Sequence, residues 1–299
     1  MALIKLEKML SEAKQGKYAV GYFEPWNMES ILAVTDAAEE TKSPVIIGVC
    51  GDYLLGRYRI DRIPLIVAYS LCESAAKAAK VPVSVLFNET SVVSDAIAAA
   101  KAGFSGVMLH GEGMDEETYT KSLYETVMRT RIYNTIVEGE FGHLSTSVDG
   151  TLDKTWEGEI KNAESVKEFI NETRVGALSV SIGNSHLLIN GKASLDFELF
   201  DRIAQSVDIP LVIHGGSGIS GEDVKTLVSL GMAKLNVGAS LKKAFAVAMK
   251  TKLNSIDCYV NPNDLLGKGG EADVMTAGRI AMKEVVLNYM EWLGCGGKA

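Results

Sequence analysis

The chain contains four histidines, and three of them close short apolar runs: "SGVMLH" ends at His110, "SVSIGNSH" at His186 and "PLVIH" at His214. Carboxylates close two more such runs. "VSVLFNE" ends in Asn88-Glu89, and "TIVEGE" carries Glu138 and Glu140. A lone histidine is more often structural than a ligand, but three in equivalent positions beside carboxylates point to one shared mouth. Imidazole and carboxylate donors together suit a divalent transition metal. Zn²⁺ takes N and O ligands and keeps a position open for catalysis, and two histidines with one carboxylate also hold Mn²⁺, Co²⁺ or Fe²⁺. The stretch "LVIHGGSGIS" adds a second chemistry, because Gly215, Gly216, Ser217 and Gly218 lie between a strand-like run and a helix start. Such a loop offers backbone N–H groups to an anion. It also reads as a plain turn, with Ser220 capping the helix and Glu222 in its first turn.

The elements that must carry these residues recur along the whole chain. Strand-like runs fall at 18–22, 44–49, 82–87, 105–109, 134–138, 177–182, 210–214 and 233–237. Amphipathic helical patterns fall at 29–41, 64–80, 91–102, 115–132, 163–173, 196–207, 220–230 and 239–253. Near-continuous apolar strands separated by helices mean a parallel sheet covered on both faces, and eight units in this length predict a (β/α)₈ TIM barrel with a C-terminal helical extension. A doubly wound open sheet fits less well, since no G-x-G-x-x-G follows the first run. Residues 1–299 read as one domain. Within it, 142–162 has neither period and is expected to be a flap, and 265–299 forms the extension, with a helix at Ile280–Leu293. In a barrel of this kind chemistry sits at the C-terminal ends of the strands, where the histidines and carboxylates fall.

Bulk composition excludes several classes. Hydrophobic residues make up 47% of the 299 positions and charged residues 23%, which is ordinary for a globular chain. A net charge of −8 disfavours a nucleic-acid groove. No run is long enough for a membrane span, and the charged opening "MALIKLEKMLSEAKQGK" does not read as a signal peptide. The four cysteines form no C-x-x-C pair, so a reducing, cytoplasmic setting is expected.

The stretches "YAVGYFEPWNMES", "SPVIIGV", "AGFSGVMLHGEG", "VEGEFG", "SIGNSHLL", "IPLVIHGGSG", "LGMAKLNVGASLKKAF" and the closing "GCGGKA" resemble, in order, the class II (metal-dependent) fructose- and tagatose-bisphosphate aldolases. The resemblance implies a Zn²⁺-dependent retro-aldol enzyme acting on a carbohydrate, as a homodimer or homotetramer. It implies metal ligands at His186 and His214 and a carboxylate at Glu138 or Glu140. It places phosphate contacts at Gly183, Gly215 and Ser217 and substrate contacts at Asn236, with Asn27, Cys50 and Ser240 in the same rim. The family reads Asp-His where this chain has Asn88-Glu89. An amide transfers no proton, so Asn88 is expected to orient a hydroxyl or carbonyl. Glu89 is expected to replace the third histidine, which lowers the formal charge of the site by one unit and weakens the Lewis acid. His110 stands where the family has an aspartate, so it either joins the metal or takes over proton transfer, for which an unperturbed pKa of ~6.5 is suitable. Glu140 is the other proton-transfer candidate, and His143 an outside one.

Further departures concern the substrate. Leu187 replaces a glycine, Ala239-Ser240 replace a Thr-Asp pair, and Asn263 stands where the family's arginine meets the distal phosphate. A substrate with at most one phosphate is therefore expected. The expected activity is a metal-dependent aldol cleavage of a ketose or keto-sugar through an enediolate. Rival readings are an isomerase, epimerase or transaldolase on the same intermediate, and a non-catalytic pseudo-aldolase subunit. Lys234 falls early in its strand, the wrong end for a Schiff-base lysine.

Overall fold

The computed structural model describes residues 2–56, 59–142, 145–146, 162–186, 193–256 and 261–299, with backbone alone at 145–146 and 185–186. Eight parallel strands close a barrel. They are β1 (Val20–Phe23), β2 (Val45–Cys50), β3 (Val83–Thr90), β4 (Gly106–Leu109), β5 (Ile136–Phe141), β7 (Ala177–Val180), β9 (Leu211–Ile213) and β10 (Met232–Val237). The neighbour order around the barrel is β1-β10-β9-β7-β5-β4-β3-β2. Two short strands, β6 (Ser145–Thr146) and β8 (Ser185–His186), pair separately and parallel, Ser145 with Ser185 and Thr146 with His186. Part of the expected flap is thus a strand, and its partner is the backbone carrying His186. Flap positions 143–144, His143 among them, and 147–161 lie outside the described residues.

The barrel strands read as apolar runs because both their faces are covered: every position of β1, β4, β7, β9 and β10 is buried. The crossover helices are α2 (Met28–Thr41), α4 (Leu65–Ala78), α5 (Val93–Ala102), α6 (Glu116–Thr130), α7 (Ala163–Thr173), α8 (Phe197–Ser206), α9 (Gly221–Ser229) and α10 (Ala239–Asn254). Each starts within two residues of its expected position. Side-chain caps account for several of these starts: Asn27, Asp115, Asn162, Asp196 and Ser220 each accept a first-turn N–H. Helix α1 (Leu6–Gly16) precedes the barrel and buries Leu6, Met9, Leu10 and Ala13.

Helices α3 (Gly51–Leu55), α11 (Pro262–Leu265) and α12 (Val274–Trp292), like strands β6 and β8, differ from the sequence expectation. Helix α3 follows β2 directly and had no periodic signal, being only 5 residues long. Helix α11 is similarly short. Helix α12 begins six residues before the expected Ile280, because Asp273 caps it by accepting from Met275 and Thr276 N–H. It packs on α2 and α10 rather than projecting away, and ion pairs Arg279–Asp36 (2.6 Å) and Lys283–Glu40 (2.5 Å) flank that contact. Among the described residues, no helix is long and apolar enough to cross a membrane.

Candidate active site

Strand β3 does not end before Asn88-Glu89 but continues through them to Thr90. Its pairing with β4 slips there: Phe87 faces Val107 while Thr90 faces Leu109, so β3 carries one extra residue. Such a bulge breaks the in–out alternation. Glu89 takes up the irregularity with φ of 54°. Among the described residues, four other non-glycine positions share that left-handed conformation, Lys17, Lys42, Asn134 and Arg174, and all four terminate helices. Glu89 alone among them lies in a strand, at the barrel mouth. A left-handed backbone costs a non-glycine residue roughly 1–2 kcal/mol, and strain of this sort collects at functional sites.

Around it the structure assembles residues from five strands. The Glu89 Oε1 atom lies 3.6 Å from His214 Nδ1, and Cys50 Sγ donates to Glu89 Oε2 (3.3 Å). On the other side of the imidazole, His214 Nε2 donates to Glu138 Oε1 (2.9 Å), and Glu138 Oε2 accepts from Lys234 Nζ (2.6 Å). His214, Glu138 and Lys234 are wholly or almost wholly buried. Burial alone would raise Glu138. The Lys234 ammonium and the His214 hydrogen bond reverse that and hold its carboxyl below the usual range. For His214 burial works downward, yet the bonds to Glu138 and Glu89 push it up to about 9. Both carboxylates therefore favour positive charge at this imidazole.

Lys234, set aside in the sequence as lying at the wrong end of its strand, belongs to this network. Its backbone sits early in β10, but its side chain runs along the barrel interior to the Glu138 layer, a reach that position in a strand does not reveal. Asn184 was missed in the sequence. Buried at 2% exposure, it donates from Nδ2 to the His214 carbonyl (3.0 Å) and accepts from Ile182 N–H (2.8 Å). Its place two residues before His186 was the available signal.

Asn236 sends its amide nitrogen to Asn88 Oδ1 (3.2 Å) and lies 2.9 Å from His214 Nε2. Its own Oδ1 has no partner among the described residues, nor do the buried Tyr22 hydroxyl and Ser179 Oγ. In the glycine loop Gly215 has φ of 69°, and Ser217 Oγ accepts from Ser240 N–H (3.0 Å) while donating to Ser240 Oγ (3.1 Å). The Tyr289 hydroxyl of α12 donates to Gly216 O (3.0 Å), so the C-terminal extension buttresses the loop. Gly183 has φ of 98°, and a Cβ there would meet Ser194 O at 2.1 Å. Asn27 is engaged as the cap of α2, accepting from Ser30 N–H (2.9 Å). The side chain of His186 and all of Leu187 lie outside the described residues.

Glu140, next along β5, is buried and pushed up to about 7, chiefly by desolvation, which the His214 and His110 charges oppose. At the end of β4, His110 Nε2 stands 2.7 Å from Asp52 Oδ2 on α3, and Glu112 N–H donates to His110 Nδ1 (3.3 Å). Burial lowers His110, but the Asp52 hydrogen bond and charge outweigh it and raise the imidazole overall.

Residues 4–298 match the model of the family described as "Fructose-bisphosphate aldolase class-II". The chain belongs to that family. Among proteins of known activity it resembles the sulfofructosephosphate aldolase of Alkalicoccus urumqiensis, with 33% identity over 281 residues, 91% of this chain and 93% of that one. Among solved structures it resembles the YdjI aldolase of Escherichia coli K12, with 28% identity, 99% of both chains covered and a TM-score of 0.80. The fructose-bisphosphate aldolase of Campylobacter jejuni, 21% identical with a TM-score of 0.78 over 100% of this chain and 97% of that one, shares the fold. This class II aldolase family member is a lyase that cleaves carbon–carbon bonds on a closed (β/α)₈ barrel.

Proposed function

We propose that the chain performs a metal-dependent retro-aldol cleavage of a ketose carrying one phosphate, with Glu89, His214 and His186 as the metal-holding residues. The observation that carries this reading is the 3.6 Å separation of Glu89 Oε1 and His214 Nδ1. Two ligand atoms each ~2.0–2.2 Å from one tetrahedral ion stand about 3.3–3.6 Å apart. Glu138 then stands behind the imidazole, where a carboxylate accepting from the far ring nitrogen orients a metal-bound histidine. With both its oxygens engaged by His214 and Lys234, Glu138 serves better as that support than as a ligand.

A divalent ion held there would supply a Lewis acid for the substrate carbonyl. The rest of the work falls to this chain's own groups. Asn236 Oδ1, a buried acceptor lacking a partner among the described residues, suits a sugar hydroxyl. Asn88 orients the substrate through its amide, and proton transfer falls to Glu140 and His110. The loop at 215–218, braced by Ser240 and Tyr289, receives the phosphate.

The phosphoketose reading also draws on the 33%-identical sulfofructosephosphate aldolase. The absence of an arginine at Asn263 supports a far end that carries no second phosphate. The test is to incubate zinc-loaded protein with six-carbon ketose 1-phosphates bearing a hydroxyl, carboxylate, sulfonate or phosphate at carbon six, and to follow the products by NMR. Cleavage to two three-carbon fragments, weakest for the bisphosphate, is the expected result. A clear preference for the bisphosphate would sink the single-phosphate assignment.

A further inference from the structure

Asp52 belongs to none of the motifs above, yet it is the group nearest to His110. It is presented by α3, and its Oδ2 stands 2.7 Å from His110 Nε2. The second ring nitrogen, Nδ1, accepts the Glu112 N–H at 3.3 Å. A backbone amide only donates, so Nδ1 offers a lone pair and the ring proton resides on Nε2, pointed at a carboxylate that only accepts. These two contacts fix one neutral tautomer.

Asp52, His110 and Glu112 place one donor atom each within 4.8 Å of one another, a grouping that could be read as a second cation site. The distances argue otherwise. Two ligands around one ion stand about 3.3–3.6 Å apart, whereas 2.7 Å between Nε2 and Oδ2 is a charge-assisted hydrogen bond with the proton between the atoms.

We propose that His110 and Asp52 together supply the base that an amide at Asn88 cannot be: His110 takes the substrate's hydroxyl proton on Nδ1, and Asp52 is the positioning residue that holds the tautomer. The proposal rests on the lyase reading of the mouth. In the step, the hydroxyl O–H bond breaks and its proton passes to the Nδ1 lone pair, displacing the long bond from Glu112 N–H. The oxygen forms the new aldehyde carbonyl as the carbon–carbon bond breaks, and the bonding electrons remain on the ketone fragment as its enolate. Asp52 stabilises the imidazolium, as a carboxylate does behind a catalytic histidine. Glu140 then donates a proton to the enolate carbon, and the proton on His110 returns Glu140 to its acid form through solvent.

Among the described residues, the charged groups around His110 are Asp52 from α3, Glu89 from β3, Glu140 from β5 and Glu112 on its own loop. All are carboxylates, and Asp52 makes the direct bond. Replacing Asp52 by Asn should therefore lower the imidazole pKa.

The experiment uses zinc-loaded, full-length protein. Ring-¹⁵N spectra of His110, assigned with His110→Gln, should show a protonated Nε2 and an unprotonated Nδ1 above the imidazole pKa. H110Q should lower kcat about 10²-fold or more with KM little changed and abolish one ascending limb of the pH profile. D52N should lower kcat less, shift that limb to lower pH and leave bound zinc at the parental level, and Asp52→Glu should restore part of the shift. An Nδ1–H tautomer in the parent, or a D52N limb at the parental pH, would overturn the proposal, as would zinc lost with Asp52. Because the spectra need no substrate, failure to find any cleavable ketose counts against the lyase reading and still leaves the tautomer open to refutation.

Discussion

Between β3 and β9 the Glu89 carboxylate stands 3.6 Å from His214 Nδ1, whereas between α3 and β4 the Asp52 carboxylate stands 2.7 Å from His110 Nε2. The first pair is set in a buried network. His214 is fully enclosed, and behind it Glu138 and Lys234 form an ion pair with almost no exposed surface. The second pair lies at the rim, with the Asp52 side chain 41% exposed. Separation and depth together underlie the proposal that the first pair shares an ion and the second a proton. They also say what each region tolerates: buried charges must be matched, while a rim carboxylate can change and leave the fold intact.

The largest expected effect tests the deep pair. Replacing Glu89 by Ala should remove bound metal and lower turnover by ~10³-fold or more, since several kcal/mol of charge stabilisation are lost. Metal analysis beside activity decides this, and a variant with full metal content would remove Glu89 from the ligand set. Backbone strain sharpens the same point. Glu89→Gly should be about 1 kcal/mol more stable than Glu89→Ala, because glycine accepts the left-handed φ without penalty.

Next comes Lys234→Met, which leaves Glu138 buried without its counter-ion and should cost about 3–5 kcal/mol in urea denaturation. Adding Glu138→Leu should restore part of that loss. Purely additive effects would mean the pair is not coupled.

A smaller effect concerns pH. Glu140 sits near 7 and is proposed to act as a proton donor, so activity should fall as pH rises through about 7 and the carboxyl ionises. Glu140→Gln should lower kcat about 10²-fold and remove this descending limb, while H110Q removes an ascending one. If E140Q retained the descending limb, Glu140 would not be the donor.

The smallest expected effect is at Tyr289. Phe there deletes one buried hydrogen bond to Gly216 O and should cost about 0.5–1.5 kcal/mol, with a rise in KM for phosphorylated ketoses larger than the change in kcat. An unchanged KM would detach α12 from the proposed phosphate role of the 215–218 loop.

Eight apolar runs alternating with eight amphipathic patterns determined the barrel, because strands covered on both faces and one-sided helices leave different periods in the residues. The same reading brought Glu89, His110, Glu138, Glu140 and His214 to one mouth, since parallel strands expose their C-terminal ends together. What neighbouring chain direction cannot encode was decided by the tertiary structure. The slip of β3 against β4 that turns Glu89 toward His214, the reach of Lys234 to Glu138, and the meeting of Asp52 with His110 across 58 residues all depend on register, side-chain length and the placement of a five-residue helix. Those quantities are set by packing between strands distant in sequence, and no local period records them.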